Sequence, residues 1–333
     1  MDWSKGYSAT YYMTKVDPIS WRDKERFDLT GGSIKREVDG LRESASIDVV
    51  GYPTGQEDWI RVYLDAGQEG DHEQVALFTG LATSPGDQIN GTMRSGQLDC
   101  YSVLKPADDI ALLRGWYAPM GSSGGNVIRD LLGVISAPID VADDAPVLTS
   151  HIIAEEGETR LTMAEKILLA IDWRLKIAGD GSISIEPASK DPVVTFDPLK
   201  NDMIETTINV KTDWFDAPNV FLAVDDDLTA IAKDESLDSP LSIPNRGREV
   251  WMQESGCDLA SSETIAEYAA RRLKEEQIIS KTASYDRRFF PGVIPGDYVR
   301  LHYPAQGLDD SFFVNSQSID LGYAARTSED VAI

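Results

Sequence analysis

The chain has 333 residues, and its 31 basic against 56 acidic side chains give a net charge of −25. So negative a surface argues against coating nucleic acid, which rests on Lys and Arg neutralising phosphates, and against docking on anionic lipid. No apolar run exceeds five residues (Val220 to Val224 is one), too few to span a bilayer. Met1-Asp2-Trp3-Ser4-Lys5 lacks the charged-then-apolar order of a secretory leader, and Cys100 and Cys257 are too few for a disulfide scaffold. These features predict an acidic, soluble protein of a reducing compartment, long enough for two or three domains.

The first hundred residues read as strands. Ala45, Ile47 and Val49 alternate with Ser44, Ser46 and Asp48, and Ile60, Val62 and Leu64 form a second period-two set. Val75-Ala76-Leu77-Phe78 is a third apolar run, with Gly67, Gly70-Asp71, Gly80 and Pro85-Gly86-Asp87 as punctuation. Short strands at this spacing suggest a barrel or sandwich.

The middle changes character. After Gly121-Ser122-Ser123-Gly124-Gly125, the positions Val127, Ile128, Leu131, Leu132 and Ile135 recur at helical spacing, which predicts a helix over 126–136. A second is expected over 162–172, with Thr162 and Glu165 as a capping box and Ile167, Leu168 and Ile171 as its stripe. A hairpin over 173–186 follows, turning at Gly179-Asp180-Gly181.

Strands return after Asn201: Ile204 to Val210, Asn219 to Val224, and Thr229 to Ala232. A helix over 262–279 interrupts them, capped by Ser261 or Ser262, with Ile265, Tyr268, Ala269 and Leu273 inward. Two Pro-Gly turns, Pro291-Gly292 and Pro295-Gly296, precede closing strands over Tyr298 to Tyr303 and Phe312 to Asp320. The structural turn of interest is Pro295-Gly296-Asp297, where Gly tolerates the positive φ of the third turn position.

No constellation for catalysis emerges. His72, His151 and His302 lie far from one another and from the cysteines, so no zinc spacing exists, and no catalytic, cofactor-binding or metal residue is assigned. Gly121 to Gly125 matches G-x-S-x-G, but a nucleophile elbow needs a buried parallel strand before it; an anion cradle at the helix N-terminus lacks a Walker lysine, and the loop reads as a flexible cap instead. Acids are too abundant for any pair to mark a glycosidase, and Asp225-Asp226-Asp227 lacks calcium-loop spacing. Their distribution says more. Asp140, Asp143, Asp144, Glu155, Glu156 and Glu158 occupy a stretch without Lys or Arg, and Asp213 to Asp238 carries eight acids against Lys233 alone. Such surfaces repel polyanions.

Leu29-Thr30-Gly31-Gly32-Ser33-Ile34-Lys35-Arg36, Ser44 to Val49 and Leu77-Phe78-Thr79-Gly80 resemble the N-terminal strands of the baseplate hub proteins of tailed phages and phage-like injection machines, the late-control-D-like family. Gly157 to Leu161, Ala164 to Leu168, Trp173-Arg174-Leu175 and Gly179 to Ile185 are similar to its central module. Ile294 to Val299, Gly307-Leu308, Phe313-Val314 and Ser316 to Asp320 look like its closing barrel.

The resemblance implies a mainly β fold with α+β parts: two tube-like antiparallel β-barrel domains flanking a central α/β module. Met1 to about Lys105 would be one tube-like domain, 106–198 the module and 199–333 the other. It further implies a non-enzymatic homotrimer at the virion tail tip, joining the tail tube and distal tail proteins to a tape-measure, spike or fibre protein. DNA would pass through it unbound. The chain ends at Ile333 without room for a lysin or spike module, so no puncturing activity is expected of it. An acidic channel lining is expected from Asp213, Asp216, Asp225, Asp226 and Asp227. The rival expectations are a cell-wall glycan hydrolase and a carbohydrate-binding module, the latter drawing on aromatic faces that stack on sugars.

Overall fold

The computed structural model describes the chain except residues 53–56, 84–85, 91–92, 202, 205–206, 213, 226–227, 258–263, 278–280 and 323–324, and except the side chains of 86–90, 93 and 94. It is mainly β, with 48% of residues in strands and few helices. Met1–Ile208 with Ser284–Val331 forms one compact unit, and Asn209–Ala283 with Ala332–Ile333 the other. The closing strands fall in the first unit, where β20 hydrogen-bonds to β2.

The first unit opens with β1 (Ser8–Val16), β2 (Asp23–Glu37), β3 (Glu43–Val50), β4 (Asp58–Gln68), β5 (Asp71–Ala82), β6 (Gly86–Asn90) and β7 (Met93–Ser102). Pairing runs β1-β4-β5-β7-β3-β2, and β2 pairs back onto β1, so the ladder returns on itself; β6 pairs only with β7. In β3, Ala45, Ile47 and Val49 are buried while Ser44, Ser46 and Asp48 are not. They join Met13, Ile34, Ile60, Leu64, Leu77 and Leu98, all fully buried, in one core. Each such side chain contributes about 1.5–3 kcal/mol by leaving water.

Next come α1 (Lys105–Asp108), β8 (Tyr117–Ala118), α2 (Gly124–Leu132), β9 (Ile139–Val141), β10 (Ile152–Ile153), α3 (Arg160–Ala170), β11 (Trp173–Ile177) and β12 (Ile183–Pro187). Helix α2 lies at 124–132, not 126–136. The Ser123 hydroxyl accepts from the Asn126 N–H at 3.4 Å and Gly133 closes the helix, so Ile135 is buried beyond it. Likewise α3 lies at 160–170, not 162–172. Gly157, at φ +87°, turns the chain just before it, and Thr159 takes the cap position with Thr162 as its reciprocal partner. That leaves Glu165 outside the capping box. In the β11–β12 hairpin the Ala178 N–H donates to the Ser182 carbonyl at 2.9 Å and Gly181 has φ +81°. Strand β12 also pairs in parallel with β9, through the crossover that α3 makes possible. β13 (Pro192–Phe196) follows.

The second unit holds β14 (Asn209–Thr212), β15 (Val220–Asp225), β16 (Leu228–Lys233), α4 (Ile243–Arg246), β17 (Trp251–Ser255) and α5 (Ile265–Glu276). The β16-β15-β17 sheet lays Phe221 and Ala223 against Tyr268, Ala269 and Leu273 of α5. Helix α5 is shorter than the expected 262–279. Thr264 caps it, and Glu267 reaches back to the Thr264 N–H at 2.9 Å. Ser261 and Ser262, the expected caps, lie outside the described residues.

The closing strands are β18 (Lys281–Arg287), β19 (Tyr298–Tyr303), β20 (Leu308–Asp320) and β21 (Thr327–Ala332). Strand β19 pairs in parallel with β13 and antiparallel with β20. Along β20 the partner changes from β19 at Leu308–Phe313 to β2 at Ser316–Asp320. Along β2 it changes from β1 at Asp23–Asp28 to β20 at Ser33–Glu37, while β3 runs beside Leu29–Arg36. The β1-β2-β3 and β19-β20-β21 meanders thus mirror each other in pairing order.

The change along β2 falls at Gly31-Gly32. The β3 register shifts between Leu29 and Gly31, Gly32 sits at φ +137°, and a Cβ there would lie 2.4 Å from the Ser46 carbonyl oxygen. The Gly32 carbonyl accepts from the Leu321 N–H at 3.0 Å, tying this point to the chain's closing segment. Gly32→Ala is expected to lower stability by roughly 1–3 kcal/mol or more, from strain plus the backbone clash. A melting temperature unchanged in calorimetry contradicts this account of the strand.

Candidate functional site

The first unit is stitched by buried charges along the line where strands meet the central module. Arg61 of β4 is 6% exposed. It donates to Thr79 Oγ1 at 2.9 Å, to Asp23 at 2.8 Å and to the Asp180 carbonyl at 2.8 Å. Trp21 Nε1 donates to the same carbonyl at 3.0 Å, and Thr79 Oγ1 to that of Gly179 at 2.8 Å. Gly179 lies so close to β5 that a Cβ would meet the Ala76 oxygen at 1.8 Å. The Gly179-Asp180-Gly181 turn therefore serves as the contact between hairpin and strands.

Beside it, Arg36 of β2 and Glu43 of β3 form a buried ion pair at 3.0 Å. Burial pushes the Glu43 carboxyl up to about 7, against the pull of Arg36. At the tip of the same hairpin Leu41 packs on the module core, and Arg42, in the left-handed region at φ +61°, lies 3.9 Å from Glu165 of α3. Burial raises Glu165 too, with Arg42 opposing.

The Ile294-Pro295-Gly296-Asp297 turn docks on the hairpin's other face. Gly296 has φ +92°, the Asp297 N–H donates to the Ile294 carbonyl at 3.1 Å, and the Ile294 N–H donates to the Asp297 carboxylate at 3.1 Å. Asp297 meets Arg174 at 3.1 Å and Lys176 at 3.0 Å. Glu186 meets the same two cations at 3.0 and 2.9 Å. Burial raises the Glu186 carboxyl, but Lys176 and Arg174 hold it below its ordinary value. Two cations and two anions balance. A cavity of about 350 Å³ opens alongside, lined by Arg36, Lys176, Ser184, Phe289, Ile294 and Asp297; that volume suits roughly ten waters. Farther along, Arg287 and Glu329 pair at 2.6 Å, both wholly buried, and Gln317 donates to Glu329 at 2.5 Å. Burial disfavours the Arg287 charge, but Glu329 keeps its pKa above the ordinary value.

These clusters are built to hold elements together. Sequence reading passed over Arg36, Arg61, Arg174 and Arg287. A signal exists for Arg36, which shares a strand face with Ile34, and for Arg174 and Lys176, which share the hairpin face opposite Leu175 and Ile177.

Of the expected channel acids, Asp216 is exposed and Asp225 half-buried at the end of β15, opposite Leu228; Asp213, Asp226 and Asp227 lie outside the described residues. Asp143, Asp144, Glu155 and Glu156 are exposed. Ser123 caps α2, His72 lies 3.8 Å from Asp65, and His302 lies 2.9 Å from Asp309. Arg300 and then His302 draw Asp309 down to about 2. Both cysteines are buried and free, and burial raises the Cys100 thiol. Among the described residues no group of three metal-ligating side chains converges, and no helix is long and apolar enough to cross a membrane.

No protein-family model matches the chain, and no curated protein does. Solved structures do. The 43 kDa tail protein of prophage MuSo2 from Shewanella oneidensis superposes with a TM-score of 0.63 at 14% identity, covering 97% of this chain and 98% of that one. A tail protein from Neisseria meningitidis MC58 gives 0.60 at 16% identity, covering 99% and 97%. The chain has the fold of these tail proteins. A chain of the lidded PdpA–VgrG complex of Francisella gives 0.58 at 7% identity over 98% of this chain, which spans about half of that one, 53%.

Two outcomes are expected. Because the folded pKa of Glu43 lies above its unfolded value, the native state binds the extra proton. Stability from this group is present at pH 4.5 and is lost as pH rises to about 7. Glu43→Gln should flatten the fall in melting temperature over that window; equal slopes in the two proteins contradict the assignment. Gly296→Val should lower stability by about 1–3 kcal/mol through positive-φ strain alone, since nothing lies within 4 Å of its Cβ position. Denaturant titration with an unchanged midpoint contradicts it.

Proposed function

We propose that the chain is a structural, non-enzymatic protein of a phage tail or tail-like injection machine: the trimeric hub at the tip, joining the tail tube to a spike, fibre or tape-measure protein. The observation that carries this reading is coverage. Two phage tail proteins align over 97% or more of both partners, so the whole chain shares their architecture rather than one module of it.

The pairing order supports two tube-like domains. Strands β1 to β5 with β7 include a ring of pairings, and β19-β20-β21 repeat the order of β1-β2-β3. Two such domains per subunit, taken three times, present six similar edges to a hexameric tube. In this reading residues 1–105 and 199–333 are the two tubes and 106–198 the module between them, with β2 and β20 pairing across the two tubes. Ser123 is occupied in capping α2, which supports a chain without a nucleophile.

The acidic composition suits a conduit for DNA. Basic walls would bind each passing phosphate, whereas acidic ones repel it over the 8–10 Å that physiological salt leaves unscreened. Asp225, with Asp226 and Asp227 beside it in sequence, is the proposed wall. Asp216 is less suited, since its charge acts on Arg246.

Native mass spectrometry of the purified chain should give three times 36.6 kDa, and antibody labelling should mark the tail tip of virions. Imaging of the trimer should show a negative channel. A monomer at every concentration with label away from the tip overturns the hub reading, and a neutral or basic channel overturns the conduit wall.

A further inference from the structure

The second unit carries an unusual spot for so acidic a protein. Trp214 and Phe215 are 51% and 59% exposed, their rings 6.2 Å apart. Two arginines converge beside them. Arg246 donates to the carbonyls of Ala217 and Phe215, and Arg248 donates to the Phe215 carbonyl at 2.6 Å with its guanidinium 4.3 Å from the Phe215 ring centre. Buried Asn219 fixes this segment, donating to the Arg248 carbonyl at 3.0 Å and accepting from the Val250 N–H at 2.7 Å. Among the described residues no carboxylate lies within ion-pair distance of either guanidinium; Asp216 contributes only a more distant favourable field to Arg246. Arg246 is half-buried on its two carbonyls, while Arg248 is exposed and leaves its other N–H groups to water.

The central module carries the opposite pattern. Strands β8 and β10 set Tyr117 directly across from Ile153, and both are exposed. Met120 and Val147 extend the patch along the same ribbon, held by the Met120 N–H donating to His151 Nδ1 at 3.1 Å and by the Ser123–Val147 bridge. Flanking Val147 and Ile153 along the chain are Asp143, Asp144, Glu155 and Glu156, all exposed, in a stretch without Lys or Arg of its own; Lys166 reaches Glu155 at 3.5 Å. An exposed apolar patch flanked by charge marks a protein contact, and exposed Trp, Tyr and Arg are the residues that anchor one.

We propose that copies of this chain meet through these two unlike faces, the Trp214–Phe215–Arg248 face of one seated on the acid-flanked Tyr117–Ile153 ribbon of the next. Charge complementarity argues for a second copy. With a net charge of −25, most surfaces of two copies repel, and a contact gains by seating the exposed Arg248 guanidinium on acids. One chain carries both halves. Unlike faces make a head-to-tail contact, which closes into a ring when the rotation permits. The inference rests on the trimeric reading and says which faces build the trimer.

The test is a charge swap in the full chain, read by native mass spectrometry and sedimentation at physiological salt, with circular dichroism to confirm folding. Arg248→Glu alone, and Asp143→Arg with Asp144→Arg, should each weaken association by about tenfold or more. All three changes in one chain should restore it, which general destabilisation would not do. Trimers retained undiminished in both partial variants overturn this inference and leave the hub reading standing, as does binding of another tail protein at these faces within an intact trimer. A wild-type chain that stays monomeric overturns both.

Discussion

Strand β2 changes partner part-way along one large sheet, and the rest of the first unit depends on how it does so. Its first residues belong to β1 and its last to β20, with β3 alongside. A bulge bends a strand and raises its local twist, which helps it turn from one partner to another. Gly31-Gly32 marks such a point, with a register shift and a backbone approach too close for any side chain. Beyond it, Ser33–Glu37 pairs with Ser316–Asp320 and carries the sheet on from the opening strands to the closing ones.

Fixed charges do the remaining coupling. Arg61 gathers groups from two further strands and a turn, Arg36 and Glu43 lie buried where β2 and β3 reach the module, and the Arg174–Lys176–Glu186–Asp297 group joins hairpin to turn. Buried ion pairs add little net stability over apolar packing, but removing one partner is severe because it strands the other. Their value lies in geometry: a guanidinium with several fixed acceptors allows one relative placement of the pieces it touches. That suits a protein whose proposed task is to hold position while other parts of a machine move.

The surface follows a different logic. Most of the chain's charge is acidic, which would suit the proposed wall past which DNA slides, and the spot where basic and aromatic groups cluster is the proposed place for contact. In this view the net charge and the assembly faces are one design: repulsion everywhere except where two copies are meant to meet.

Local chemistry was legible in the sequence. The alternation of Ala45, Ile47 and Val49, the stripes of the helices, the Gly179-Asp180-Gly181 turn and the positive φ of Gly296 follow from side-chain period and glycine freedom, which act over a few residues. Helix ends were less so, since Thr159 and Thr162 are equally good caps until Gly157 turns the chain before one of them. What only the tertiary structure decided was the long-range pairing. Nothing local in Ser33 to Glu37 names Ser316 to Asp320 as its partner, and nothing in Arg61 shows that its acceptors come from Asp23, Thr79 and Asp180. The β2–β20 ladder joins residues hundreds of positions apart and the Arg174–Asp297 pair spans 123, and such partners are chosen by the fold as a whole.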